Sequence, residues 1–257
     1  QKISSTINAG SGAWKKLLDA VREFPEGSTI TIDGEIKATN EGTGSDANRG
    51  EIVINKNLTV KGKNGAGTDI LDANSSGTNA PATTHRIFKV ENGKTLILEN
   101  LTLTGGKVTT TDDQGRGGAI YAKGATVNIT NCTFTGNEAH EGYGGAIAAS
   151  GATVAITNCT FTGNQAARDG GAVYANKDGS IVSKVTISGG SISSNTVIVK
   201  WACGGGIFVA EGSTLTLDEY TDGSGTKHGV QITGNKAGRG GGVRANDSTV
   251  TMTGCTI

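Results

Sequence analysis

Along the middle of the chain apolar and polar residues alternate in short runs. Val127 and Ile129 are separated by Asn128 and followed by Thr130, and Cys132 and Phe134 alternate with Thr133 and Thr135. A period of two belongs to a strand with one buried face, because successive side chains leave opposite sides of the pleat. The same phase returns at Val154, Ile156, Cys159 and Phe161, at Val185, Ile187 and Ile192, at Leu215, Leu217, Val230 and Ile232, and at Val250, Met252 and Cys255. Each repeat therefore predicts three short strands. Earlier runs of the same kind are Ile52, Ile54, Leu58 and Val60, then Ile87-Phe88, then Leu96, Leu98, Leu101 and Leu103. One stretch has the helical period instead. Trp14, Leu17, Leu18 and Val21 fall at i, i+3, i+4 and i+7, which predicts an amphipathic helix over about residues 12–22 with Ser11 as its N-cap. The first strand is expected just after it, at Thr29-Ile30-Thr31-Ile32.

Two phrases repeat with the strands. Gly117-Gly118-Ala119-Ile120 recurs as Gly144-Gly145-Ala146-Ile147 and Gly170-Gly171-Ala172-Val173, and more loosely as Gly204-Gly205-Gly206-Ile207 and Gly240-Gly241-Gly242-Val243. Counted on the third residue of each (119, 146, 172, 206, 242), the steps are 27, 26, 34 and 36 residues. The phrase from Thr130 to Asn137 returns almost letter for letter from Thr157 to Asn164. One such unit cannot bury its apolar face alone, but coiling the chain so that each repeat forms one rung stacks equivalent strands in parallel, ~4.8 Å apart, around a shared interior. Parallel crossovers are right-handed. The expected fold is all-β, a right-handed single-stranded parallel β-helix with an N-terminal amphipathic helix lying across its open end. We expect one domain over residues 1–257, with a cap at 1–28 and stacked rungs at 29–257. The chain stops at Gly254-Cys255-Thr256-Ile257, inside a rung, as a fragment would. The paired glycines suit positive φ and close backbone approach. Asn137, Asn164, Asn195 and Asn235 are expected to stack at one corner and bond to each other along the axis.

Composition narrows the alternatives. The chain has 42 Gly but 2 Pro and no triplet period, which excludes collagen, and its 35% hydrophobic content with zero formal charge argues against disorder. The 23 basic and 23 acidic residues make no field for nucleic acid, and no apolar run approaches the ~18 residues of a membrane-spanning helix. Cys132 and Cys159 occupy equivalent positions, where in-register neighbours aim their Cβ atoms alike, so buried free thiols are expected; Cys203 and Cys255 are expected free as well.

The Gly-Gly-Ala-Ile and Phe-Thr-Gly-Asn phrases resemble the repeats of the chlamydial polymorphic membrane protein family, over about Gly117 to Ile257. The N-terminal half resembles the wider pectate-lyase-like β-helix superfamily, through its capping helix and the opening rung from Leu96 to Gly106. The first resemblance implies a β-helical adhesin, the passenger of an outer-membrane autotransporter, exposed at a bacterial surface or secreted. Later copies carry Gly for Ala and Ile for Phe.

Candidate chemistry divides two ways. Many β-helices cleave acidic polysaccharides as lyases or hydrolases, which need positioned carboxylates. Asp69 and Asp72 are the candidates for that reading, with Asp112-Asp113 as a second acidic pair, although both fit turn or loop roles. His85, His140 and His228 lack zinc-type spacing, and no cofactor or metal is expected. The competing reading is a non-enzymatic binding domain, acting as a monomer. Loops between each Asn corner and the next glycine pair should stack along one edge, where solenoids commonly bind partners. The residues just before the pairs are Arg116, Tyr143, Asp169, Cys203 and Arg239; the same loops carry His140, Arg168 and Trp201. We expect Arg116, His140, Tyr143, Asp169, Trp201 and Arg239 to grip a host or neighbouring-cell protein or glycan.

Overall fold

The computed structural model describes residues 1–111 and 115–257. It is a right-handed parallel β-helix of about seven turns with a helix at its N-terminal end. The rung containing Phe134 shows how a turn is built. Ile120–Lys123 belongs to a seven-stranded sheet, Thr126–Thr130 and Thr133–Thr135 to the two limbs of a fourteen-stranded sheet, and Glu138–Ala139 to a four-stranded sheet. The next rung lies over it in parallel register: Ile120 on Ile147, Val127 on Val154, Phe134 on Phe161, Ala139 on Ala166. Each rung of this kind thus has four strand segments where alternation predicts three. The fourth is two residues long with a single buried apolar side chain, Ala139, packed with Val108 and Ala166 apart from the main core, so no period could announce it.

The inward file of each strand is the core. Ile120, Ala122, Val127, Ile129 and Phe134 are buried in one continuous apolar cluster with their counterparts above and below. Phe134 and Phe161 stack with ring centroids 4.7 Å apart and planes 3° from parallel. Full burial of such a side chain is worth roughly 1.5–3 kcal/mol. The two cysteines behave as members of this core: Cys132 and Cys159 are buried and unbonded, and the Cys132 N–H donates to Cys159 Sγ at 3.3 Å. A side-chain hydrogen bond between the two thiols, and then burial, push the Cys132 thiol pKa up, so it stays protonated.

Both repeated phrases have backbone causes. Gly144 sits at φ +70°, and a Cβ on Gly145 would meet the Gly171 carbonyl oxygen at 2.1 Å; only glycine serves at either place. At the next corner the asparagines form a buried ladder. Asn137 Nδ2 donates to Asn164 Oδ1 at 3.0 Å, Asn164 Nδ2 to Asn195 Oδ1 at 2.9 Å, and Asn195 Nδ2 to Asn235 Oδ1 at 2.9 Å. Each of these amides also donates to a carbonyl of the preceding rung, as Asn164 does to Phe134 O at 2.9 Å.

The N-terminal end departs from expectation in two ways. A strand, Ser4–Asn8, precedes the helix and pairs in parallel with Thr29–Asp33; it holds one apolar residue, Ile7, and so carries no alternation to read. The helix, α1 (Ala13–Glu23), is not capped by Ser11. Gly12 takes the N-cap position in the left-handed region, and Ser11 Oγ turns to Glu41 at 3.4 Å. The cap comes from across the fold: Asn48 Oδ1 accepts the Lys15 N–H at 2.9 Å. Trp14, Leu17 and Val21 are buried as the period predicts, while Leu18 is half-buried.

Candidate functional site

The glycine pairs place the ridge. The N–H of Gly117 donates to Tyr143 O at 2.9 Å, that of Gly144 to Asp169 O at 3.1 Å, that of Gly170 to Cys203 O at 3.0 Å, and that of Gly204 to Arg239 O at 3.0 Å. These bonds line up Arg116, Tyr143, Asp169, Cys203 and Arg239 as one axial file, rung above rung.

Side chains converge at only part of that file. The guanidinium of Arg116 lies 5.6 Å from the Tyr143 ring centroid and 5.9 Å from that of Tyr174, and its Nη1 donates to Ser150 Oγ at 2.8 Å. Arg168 approaches the same Tyr143 ring at 5.6 Å and donates to its hydroxyl at 3.2 Å. Two cations on one ring, each within cation–π range, hold the aromatic in place. Beside them opens a cleft of about 390 Å³ lined by Tyr143, Arg168, Asp169, Val199, Trp201 and Ala202. Trp201 stands at its rim, 74% exposed, with exposed Ile198 nearby in the chain. Asp169 Oδ1 accepts the Cys203 N–H at 2.7 Å. Burial raises the Asp169 pKa, against the opposing pull of that N–H and of the Arg168 charge.

Two of the expected ridge residues stand apart from this cluster. His140 is exposed and pairs through Nδ1 with Glu138, which in turn meets Lys107 Nζ at 2.8 Å. Burial pushes the Glu138 pKa up, but its bonds to Lys107 and His140 leave it below the ordinary value. Arg239 keeps its place in the backbone file, one rung beyond Cys203, with its side chain exposed.

The alternation pattern did not single out the aromatic layer beneath the ridge. Tyr121, Tyr174 and Phe208 occupy outward positions of their strands yet are buried, forming with Ala148 and Ala210 a second apolar cluster that Tyr143 packs against. Tyr143 and Tyr174 have ring centroids 4.6 Å apart, and Tyr174 stacks on Phe208 at 5.7 Å. Arg86, buried and paired with Glu51 at 3.1 Å, lies 5.3 Å from the Tyr121 ring. The available signal was an aromatic residue at the second position after the glycine motif's alanine or glycine in three of five copies.

Asp69 and Asp72 lie in earlier rungs. Asp69 is fully buried and its carboxylate accepts four bonds: the N–H groups of Gly34 (2.8 Å), Asn64 and Gly65 (2.9 Å), and the Asn64 side chain at 3.1 Å. Burial alone would raise its pKa, but those donors outweigh it and hold the group below the usual carboxylate value. Asp72 pairs with Lys37 at 3.1 Å and accepts the Asn74 N–H at 2.7 Å, a turn bond. The pair Asp112-Asp113 lies outside the described residues. Among the described residues no three His, Cys, Asp or Glu side chains gather to hold a metal ion, and no helix is long and apolar enough to cross a membrane.

The family model of the Chlamydia polymorphic membrane protein repeat matches residues 131–150 and 158–176. The two segments are consecutive rungs, running from the Cys-Thr-Phe strand through the Asn corner to the glycine pair and the strand after it. No curated protein and no solved structure matches the chain. The repeat family is associated with the bacterial outer-membrane surface.

Proposed function

We propose that this chain is a non-enzymatic, adhesin-like binding domain, a secreted or autotransporter-type passenger of pectate-lyase-like build. It works as a monomer and takes a host or neighbouring-cell protein or glycan at the ridge cleft. The observation that carries this reading is the large aromatic left 74% exposed at Trp201, on the rim of a cleft whose opposite wall is already fixed by the Arg168–Tyr143 bond. A preassembled wall loses little side-chain freedom on binding, and an exposed aromatic supplies the contact area that dominates most interfaces. The carboxylate of Asp69, with its acceptor sites filled from within, leaves little for general-base work.

The test measures attachment of the labelled domain to cultured host cells and to a printed glycan panel. Trp201→Ala and Tyr143→Ala are expected to weaken attachment about tenfold or more while circular dichroism stays unchanged. Wild-type attachment by both variants removes the ridge from the account. Turnover of pectin, alginate or a glycosaminoglycan that Asp72→Asn abolishes would replace the binding reading with an enzymatic one.

A further inference from the structure

A second corner of the solenoid carries a site of different make. Between the two limbs of the large sheet, Asn100, Asn131 and Asn158 take positive φ (+56°, +52° and +50°) and turn their amides outward. They form an exposed ladder: Asn131 Nδ2 donates to Asn100 Oδ1 at 3.3 Å and Asn158 Nδ2 to Asn131 Oδ1 at 2.9 Å. The ladder stops there. In the next rung Thr157 pairs with Ser188 and Cys159 with Gly190, so the corner above Asn158 belongs to Gly189, at φ +65°. Gly189 has no side-chain amide to continue the ladder, and Asn158 Oδ1 is left as the ladder's terminal acceptor.

Over this gap the chain builds an overhang. An antiparallel hairpin pairs Tyr220–Thr221 with Lys227–His228, outside the parallel ladders that hold the rungs. It is shaped from within: Asp222 Oδ1 accepts the N–H of Ser224 (2.9 Å) and of Thr226 (3.0 Å), and Asp222 Oδ2 meets His228 Nε2 at 2.9 Å. It is seated by the glycine, since a Cβ on Gly189 would meet Tyr220 Cβ at 2.6 Å. Under it lies a cleft of about 620 Å³, floored by Asn158 and Gly190 and walled by Tyr220, His228 and Gln231.

We propose that this cleft is a binding site for an uncharged saccharide. The charged groups at the mouth are engaged with neighbours: Lys227 pairs with Glu219 at 2.8 Å, and an Asp222 carboxylate oxygen lies 2.9 Å from His228 Nε2. A carboxylate- or sulfate-bearing sugar finds no unengaged cation there. What remains is the carboxamide of Asn158, held in orientation by its own donated bond, the exposed amide of Gln231, and the Tyr220 ring stacked beside His228 at 6.4 Å. Amides that both donate and accept match sugar hydroxyls, and an aromatic face matches the apolar face of a pyranose ring. A few convergent polar groups against one aromatic wall are the usual make-up of a small-ligand site.

The test follows the side-chain amide signals of Asn158 and Gln231 in ¹⁵N-labelled protein. The neutral probes are cellotetraose and chitotetraose and the acidic one is tri-galacturonate, each at about 10 mM, where a site of millimolar affinity is mostly filled. Shifts at both amides with at least one neutral probe are expected. Tyr220→Ala and Asn158→Gly should each weaken that binding about tenfold or more. Asn158→Gly keeps the positive φ and the hairpin intact, so its effect reports the amide and not a loosened fold. Trp201→Ala should bind the neutral probe as wild type does, which separates this site from the ridge. The proposal is overturned by silence of both amides with both neutral probes, by shifts confined to tri-galacturonate, or by wild-type affinity in the Asn158→Gly protein.

Discussion

Asn164 shows how much one side chain carries in this architecture. Its Nδ2 donates to Phe134 O and Asn195 Oδ1, and its Oδ1 accepts the Asn137 N–H at 3.1 Å and the Asn137 Nδ2 at 3.0 Å. All of these partners are buried, so removing the amide leaves the Asn137 N–H without this acceptor and takes one donor from Phe134 O and one partner from each neighbouring amide in a dry corner. Asn164→Ala is expected to cost about 3 kcal/mol, read as a lower urea midpoint at unchanged slope. A loss below about 1 kcal/mol would mean that water replaces the ladder. Gly145→Ala tests the other phrase: its Cβ has no room beside the Gly171 carbonyl, so the substitution should destabilise more than the usual ~1 kcal/mol of a point change.

The helix α1 is held by sequence-distant partners. Its Lys15 N–H is capped by Asn48, its Trp14 indole donates to Gly50 O at 2.9 Å, and the Trp14 ring rests 5.4 Å from His85. Asn48→Ala should cost about 1–2 kcal/mol, the ordinary range for losing an N-cap, seen as a lower unfolding temperature. His85 makes the same end pH-sensitive. Burial holds its imidazole pKa below the ordinary value, and the Arg49 charge pushes the same way, against the Arg86 carbonyl bond. The folded chain therefore takes up this proton less readily than the unfolded one. Its contribution is whole above about pH 6.5 and is lost as pH falls through the lowered folded value. Urea midpoints between pH 7.5 and 5 should fall for the wild type, and the His85→Gln protein should show a shallower slope.

At the scale of the whole molecule, stability is close to a sum over neighbouring rungs. Within the seven-stranded sheet Ile147–Ser150, Val173–Asn176 and Ile207–Ala210 are buried at every position, whereas its edge strand Val243–Asn246, and Thr249–Met252 of the large sheet, are half-buried or exposed throughout. Amide exchange should accordingly be slowest at Ile147–Ser150 and fastest in the last two strands, in a graded order along the axis. Uniform protection would show that the solenoid opens as one cooperative unit. The two clefts sit at different corners, one between the four- and seven-stranded sheets and one within the large sheet, so ligand binding at either should leave the other unchanged.

The period of two, the glycine pairs and the spaced asparagines were enough to determine a parallel β-helix. Each is a local consequence of burying one face of every strand and turning a tight corner, and each repeats, so the signal adds up along the chain. The axial file of Arg116, Tyr143, Asp169, Cys203 and Arg239 was legible for the same reason, because equivalent positions in a repeat must stack. What only the tertiary structure decided depends on contacts between residues with no periodic relation. The Asn48 cap, Arg168 locked on Tyr143, the buried outward layer of Tyr121, Tyr174 and Phe208, and the hairpin seated on Gly189 are all of this kind. A strand's outward positions read as solvent-facing by period alone, and only the loops that fold back over them determine which become core, which become cleft and which stay bare.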